Sequence, residues 1–246
     1  MEKPLIQQIV NKYKLMKADD LVKEARGGNA EAACELAKRL YAGKGVDKSY
    51  ELAREWFAFG AEEGHTESRY ELGQMLVAGL GGDEDETWAA ELFKKASEAG
   101  HRGAMFELGV MYAMGRGVKK NYVKASKYLR LSGTEQARAM LDKSVEWWKP
   151  VAEQGLTEGE YQYAVCLINN YGGVGDVVKG LDYMYRAAIK GHAKAMDAMS
   201  QIYEVGIGVP ADKAKAEYWK KEYCKVTGVK PEEVGLKRES ADIETE

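Results

Sequence analysis

Proline is nearly missing from this sequence: Pro4, Pro150, Pro210 and Pro231 are the only four. With so few breaks, and with Ala, Glu, Lys, Leu and Met plentiful, helices are favoured over strands. Cysteine is scarce too. Cys34, Cys166 and Cys224 form no short-spaced pair and no regular framework, which excludes a disulfide scaffold and reads as free thiols in a reducing compartment. No sign of charge dominates: 36 Lys and Arg stand against 39 Asp and Glu, a formal net charge of -3. The charges are interspersed, so no basic stripe is available to neutralise phosphates and nucleic acid is excluded as a partner. No window reaches the roughly 18 apolar residues needed to cross a bilayer. Lys3, Pro4 and the Gln7-Gln8 pair interrupt the first ten residues, so they lack the continuous apolar region of a signal peptide. These absences predict a mostly helical, cytoplasmic protein without membrane insertion. Its 246 residues leave open whether there is one large domain or two ordinary ones.

Glycine, by contrast, is abundant and periodic. Gly28, Gly64 and Gly100 are spaced by 36 residues, as are Gly155 and Gly191. Eight residues after each stands a large side chain (Leu36, Leu72, Leu108, Tyr163, Met199), and the next residue is small (Ala37, Gly73, Gly109, Ala164, Ser200). A glycine-rich loop follows in every copy, as in Gly43-Lys44-Gly45-Val46 and Gly115-Arg116-Gly117-Val118, and then a large residue: Trp56, Leu92, Tyr128, Tyr183 or Trp219. A period in this range marks a stacked helical array. The interval from Gly100 to Gly155 breaks the register, and it resolves if Gly133 opens a shortened copy without a glycine loop. The predicted copies are 28–63, 64–99, 100–132, 133–154, 155–190 and 191–226. They are preceded by a capping helix over 1–24 (Leu5, Ile9, Tyr13, Met16, Leu21) and followed by a polar tail over 227–246.

Each copy reads as two antiparallel helices. Small residues on the first helix (Ala33, Ala37, Gly73, Ala104, Gly109) let neighbouring helices approach closely. The loop glycines supply backbone conformations that other residues adopt at a cost. Ala53 and Trp56, or Ala89 and Leu92, then fall on one face of the second helix. One pair cannot bury both faces alone, so stacking is obligatory and the ends need caps. The fold class is therefore all-α: an α/α superhelical solenoid of about six helix pairs, the fourth truncated.

The G-x-G-V loops, the Ala and Trp of the second helix and the closing A-E-x-G (Ala61-Glu62-Glu63-Gly64, Ala152-Glu153-Gln154-Gly155) resemble the Sel-1-like repeat family, relatives of the tetratricopeptide repeats. The resemblance covers about residues 25–226. It departs from the family pattern at the truncated copy, at Asn170 where a loop glycine is expected, and at Pro150 inside a second helix. The family implies an α/α superhelix whose first helices line a concave groove and serve as adaptors for protein partners. Many of its members are bacterial, and some are immunity partners of secreted toxins.

Catalytic and metal chemistry find little support. His65, His101 and His192 occupy one position, directly after the closing glycine. Stacked equivalents lie about 10 Å apart and cannot converge on one zinc ion, so they read as turn residues. The run Asp83-Glu84-Asp85-Glu86 lacks the spaced pattern of a calcium loop and reads as a solvated loop capping the next helix. No G-x-S-x-G, H-E-x-x-H or phosphate-loop pattern occurs. The three thiols have no neighbouring His to serve as base. No catalytic residue, metal site or cofactor is expected, and the protein is read as not an enzyme.

One column carries a binding signal. Two positions before the large residue stand Cys34, Tyr70, Phe106, Tyr161 and Asp197, and next to them Glu35, Glu71, Glu107, Gln162 and Ala198. On a groove face, Tyr70, Phe106 and Tyr161 would anchor a partner, while Glu35, Glu71 and Glu107, with Gln162, would select basic groups. The alternative is that the aromatics fill joints between repeats. Their helical angle, about 200° from the packing position, modestly favours exposure. The leading function is a protein- or peptide-binding scaffold, with an immunity protein against one toxin as its specialised form. A hydrolase and a self-assembling homo-oligomer are the other classes, the latter stacking end to end through its caps, with one of Trp147-Trp148, which cannot both face one core, exposed at an oligomer contact.

Overall fold

The computed structural model describes residues 12–234. Among these the chain forms thirteen α-helices, two short 3-10 turns and no strand. Helix α1 (Ala18–Arg26) precedes six helix pairs. These are α2 (Ala30–Ala42) with α3 (Tyr50–Glu62), α4 (Thr66–Val77) with α5 (Glu86–Glu98), and α6 (Arg102–Met114) with α7 (Tyr122–Ser132). They continue with α8 (Glu135–Lys143) and α9 (Val145–Glu153), α10 (Thr157–Ile168) and α11 (Val177–Ile189), then α12 (Ala193–Val205) and α13 (Lys213–Thr227). The expected all-α array of six pairs is thus what the chain forms. The fourth pair is the shortened one, with 9 residues in each helix, and Ser144 both closes α8 and opens α9. Of the predicted capping segment, Leu5 and Ile9 lie outside the described residues, as does the tail from Gly235; Tyr13 and Leu21 are buried.

The chain divides into two compact units, Met1–Tyr128 and Leu129–Glu246, with α7 running across the division. In the N-terminal unit the core alternates large and small side chains: Leu36, Phe57, Leu72, Phe93 and Leu108 pack among Ala33, Ala37, Ala53, Ala89 and Ala104. The small residues sit where helices approach, as expected. A Cβ on Gly73 would stand 2.6 Å from the Phe93 ring, so glycine there is what lets Phe93 lie against α4. In the C-terminal unit Ala164, Ala187, Ala188 and Ala195 play the same part around Met184, Met199 and Trp219.

Capping residues fix where each helix starts, and the two helices of a pair use different ones. First helices α2, α4, α6, α8 and α12 open on Asn29, His65, His101, Thr134 and His192, each accepting a hydrogen bond from the backbone N–H three residues on. Second helices α3, α5, α11 and α13 open on Ser49, Asp85, Asp176 and Asp212 in the same way. The histidines read from the sequence as turn residues are therefore N-caps, with Nδ1 as the acceptor. The acidic run caps α5 through Asp85, whose Oδ1 accepts from Trp88 N at 2.9 Å.

The loop glycines do more than permit a positive φ. A Cβ on Gly81 or Gly117 would strike the carbonyl of Tyr50 or Glu86, the first residue of the preceding second helix, so each loop seats directly on the helix start of the repeat before it. Where the sequence offers Asn170 instead of glycine, the residue adopts the left-handed conformation (φ 53) and its Oδ1 accepts from Gly175 N at 2.8 Å, so the loop closes without it. Pro150 is accommodated inside α9, in the pair that is already shortened.

Candidate partner-binding cleft

Two first helices, α4 and α10, carry polar joints to the next repeat, and the two joints are alike. In the N-terminal unit the Tyr70 ring lies 4.3 Å from the His101 ring, and His101 Nε2 is 3.1 Å from Glu67 Oε2. In the C-terminal unit Tyr161 lies 4.4 Å from His192, and His192 Nε2 is 2.9 Å from Glu158 Oε2. Both histidines also cap their own helix, so one imidazole joins a stack, a carboxylate and a helix end. Tyr70 and Tyr161 are half-buried in these joints, and Phe106 is half-buried as well. The spacing was present in the sequence: glutamate, tyrosine three residues on, histidine 34 residues on.

The carboxylates of the joints are electrostatically settled. Burial works against the Glu67 charge, but Lys38 Nζ at 2.7 Å and His101 outweigh it and hold the carboxyl below its usual range. Glu158 is likewise held low against burial by His192 and Gln162. Gln162 is 3% exposed and uses both ends of its amide inside the unit, donating to Glu158 Oε1 at 2.7 Å and accepting from Arg130 at 3.3 Å. Glu35 is spent on Arg39 (3.1 Å), whose guanidinium also donates to the carbonyls of Tyr13, Lys14 and Met16 and so fastens the segment before α1.

Glu71 and Glu107 differ. Both are half-buried and both line a cleft of about 310 Å³ in the N-terminal unit, on three successive first helices: Tyr41 from α2; Glu71, Gln74, Met75 and Val77 from α4; Glu107 from α6. Phe93 and Leu80 complete it. Burial raises both carboxyl pKa values; Lys38 only partly offsets this at Glu71, and a Gln74 hydrogen bond and Arg116 only partly at Glu107. The nearby cations are committed elsewhere. Lys38 makes its short bond to Glu67 and stands 3.8 Å from Glu71, and Arg116 donates to Glu86 at 2.7 Å. Gln74 ties cleft to joint, donating from Nε2 to Tyr70 Oη at 2.7 Å.

Glu71 and Glu107 are the cleft residues that stand out in the sequence column; Tyr41, Val77 and Gln74 lie outside that column. Tyr41 and Val77 are one repeat apart, as are Glu71 and Glu107, so a second column was there to be found.

Cys34 and Cys166 are poor nucleophiles. Burial pushes Cys34 up to about 11 and raises Cys166, and Cys166 lies 3.4 Å from Ser144 Oγ. Trp148 is buried at 5% exposure and Trp147 is half-buried. Among the described residues no helix is long and apolar enough to cross a membrane.

The Sel1 repeat model matches residues 30–65, 66–101, 103–135, 157–192 and 193–219, well over half of the chain. The chain belongs to the Sel1 repeat family. Among solved structures, this Sel1 repeat protein is similar to a protective antigen of uropathogenic Escherichia coli displaying an SLR fold, with 25% identity and a TM-score of 0.51 over 85% of this chain and 49% of that one. It thus spans about half the length of that antigen. A Sel1 repeat protein from Oxalobacter formigenes is 23% identical (TM-score 0.46, 84% of this chain and 96% of that one). An immunity protein from Pseudomonas aeruginosa is 18% identical (TM-score 0.35, 85% and 73%). No curated protein matches the chain in sequence.

Proposed function

We propose that this Sel1 repeat protein is a non-catalytic scaffold that holds a protein or peptide segment across the first helices of its N-terminal unit. The observation that carries this reading is the cleft formed by α2, α4 and α6, where an apolar floor meets two carboxylates whose nearest cations make their short bonds elsewhere: Lys38 stands 3.8 Å from Glu71 but 2.7 Å from Glu67, and Arg116 is bonded to Glu86. At about 310 Å³ the cleft is at the bottom of the range of small-molecule pockets, about 300–1,000 Å³, so it suits side chains of a docked segment better than a cofactor. Glu71 and Glu107 are the contact residues of this reading, and Tyr70 supports them through Gln74. Phe106, Tyr161, Gln162 and Glu35 act as joint and core residues in it. Cys34 and Cys166, buried and proton-holding, weigh against a hydrolase built on either of them.

Affinity capture from the native cell extract tests this, with the intact protein beside a Glu71→Lys variant of matched thermal midpoint. A protein retained by the first and lost by the second supports the reading. Equal retention by both, or retention of nothing, overturns it. One dominant captured protein would be the pattern of an immunity partner; many would indicate a general adaptor.

A further inference from the structure

The cleft has a chemistry of its own. Its floor is apolar and rigid: Met75 is 2% and Phe93 1% exposed, both packed in the core. Its acidic groups are not a metal site, since among the described residues no group of three or more His, Cys, Asp or Glu is placed to hold an ion. It has room for one long side chain. Tyr41, 40% exposed, adds an aromatic ring.

Resting on the scaffold reading, we infer that the cleft receives an arginine side chain of the docked segment, its guanidinium on Glu71 and Glu107 and its methylenes on Met75 and Phe93. Charge complementarity decides for a cation, because Lys38 and Arg116 are bonded to Glu67 and Glu86 and leave the two carboxylates undercompensated. Between the two cationic side chains, arginine fits better. A planar fork can serve two carboxylates at once and lie on a tyrosine ring, and it is more weakly hydrated than the lysine ammonium, so it loses less on entering a half-buried site. Burial already raises both carboxyl pKa values, a penalty an incoming cation relieves.

The test is an amide chemical-shift titration of the full chain with N-acetyl-arginine methylamide, beside its citrulline twin, which keeps the shape and loses the charge. The arginine compound is expected to shift amides around Gln74, Phe93 and Glu107, with citrulline about tenfold weaker and Glu71→Gln/Glu107→Gln also weakening arginine about tenfold. Equal binding of arginine and citrulline, shifts confined to other surfaces, or an unchanged affinity in the double variant overturns the inference. Should that variant fail to give a native-like spectrum, the arginine–citrulline comparison on the unmodified protein and the single Glu107→Gln variant decide it alone. A captured partner whose retention ignores both glutamines sinks the arginine site and leaves the scaffold standing.

Discussion

The joint at Tyr70 and the joint at Tyr161 share a tyrosine stacked on a histidine that caps a helix and meets a glutamate three residues before the tyrosine. They part at the residue after the tyrosine. Glu71 in the N-terminal unit is half-exposed, raised in pKa by burial and open to a cleft; Gln162 in the C-terminal unit is buried and neutral, bonded at both ends. The stacking and capping recur because they hold successive repeats together, whereas the neighbouring position is free to become either a binding group or more core. A repeat protein can thus keep its joints and change its surface one residue at a time.

The comparison breaks hardest at the lysines. Glu160 has a side chain 3% exposed and its cation is Lys190 at 2.7 Å, so Lys190→Met leaves a buried charge unpaired and should cost about 3 kcal/mol in urea unfolding. Lys38→Met in the other unit removes a bond to a 39% exposed Glu67 and should cost under about 1 kcal/mol. Equal losses would show that the units are not built differently.

Exchanging the divergent residue tests the second half of the comparison. Gln162→Glu would put a carboxylate beside Glu158 in a site 3% exposed, with Arg130 as its bonded cation and His192 already taken by Glu158, and should destabilise by about 2 kcal/mol, measured the same way. The shared joint should respond alike in both units: His101→Ala and His192→Ala each lose a cap and a stack, about 1.5 kcal/mol, while His65→Ala, at a position whose tyrosine is replaced by Cys34, should lose about 1 kcal/mol.

The smallest effect carries a sign. Because burial raises the Glu71 and Glu107 pKa values, the folded state holds more protons than the unfolded chain, and these groups withdraw stability as pH rises from the ordinary carboxylate value through the raised ones. Glu71→Gln with Glu107→Gln should therefore raise the thermal midpoint slightly at pH 7 and leave it unchanged at pH 4. The joint carboxylates Glu67 and Glu158, held low, act in the opposite sense and lose their contribution on acidification. Thermal melts of both variant sets across pH 3–8, a range of about five units around the carboxylate pKa values, check the two directions.

The helix pairs were legible because glycine, the large residue and the small residue recur in register, and a shortened copy shows as a shifted glycine. The histidines do stand between a turn and a helix, as the sequence implies; their capping role is not legible there, and it shows in the bonds that Ser68 N, Ala104 N and Ala195 N donate to the Nδ1 atoms of His65, His101 and His192. Half of the cleft was legible, Glu71 and Glu107 being one repeat apart in a column already suspected. Tyr41 and Gln74 carry weaker traces, a single repeat spacing from Tyr41 to Val77 and an i,i+3 spacing from Glu71 to Gln74; what brings them to Glu107 is the side-by-side placement of α2, α4 and α6. Burial also separates Gln162 from Glu71 at equivalent positions, and the sequence does not encode that locally.

Gly81 lies over the carbonyl of Tyr50, and Gly117 over that of Glu86. The first two helix pairs are therefore each finished by a loop that belongs to the pair after it. The dependence runs one way along the chain: cut after Glu98, the first pair would keep the loop that seats on Tyr50, while the second would lose the loop that seats on Glu86.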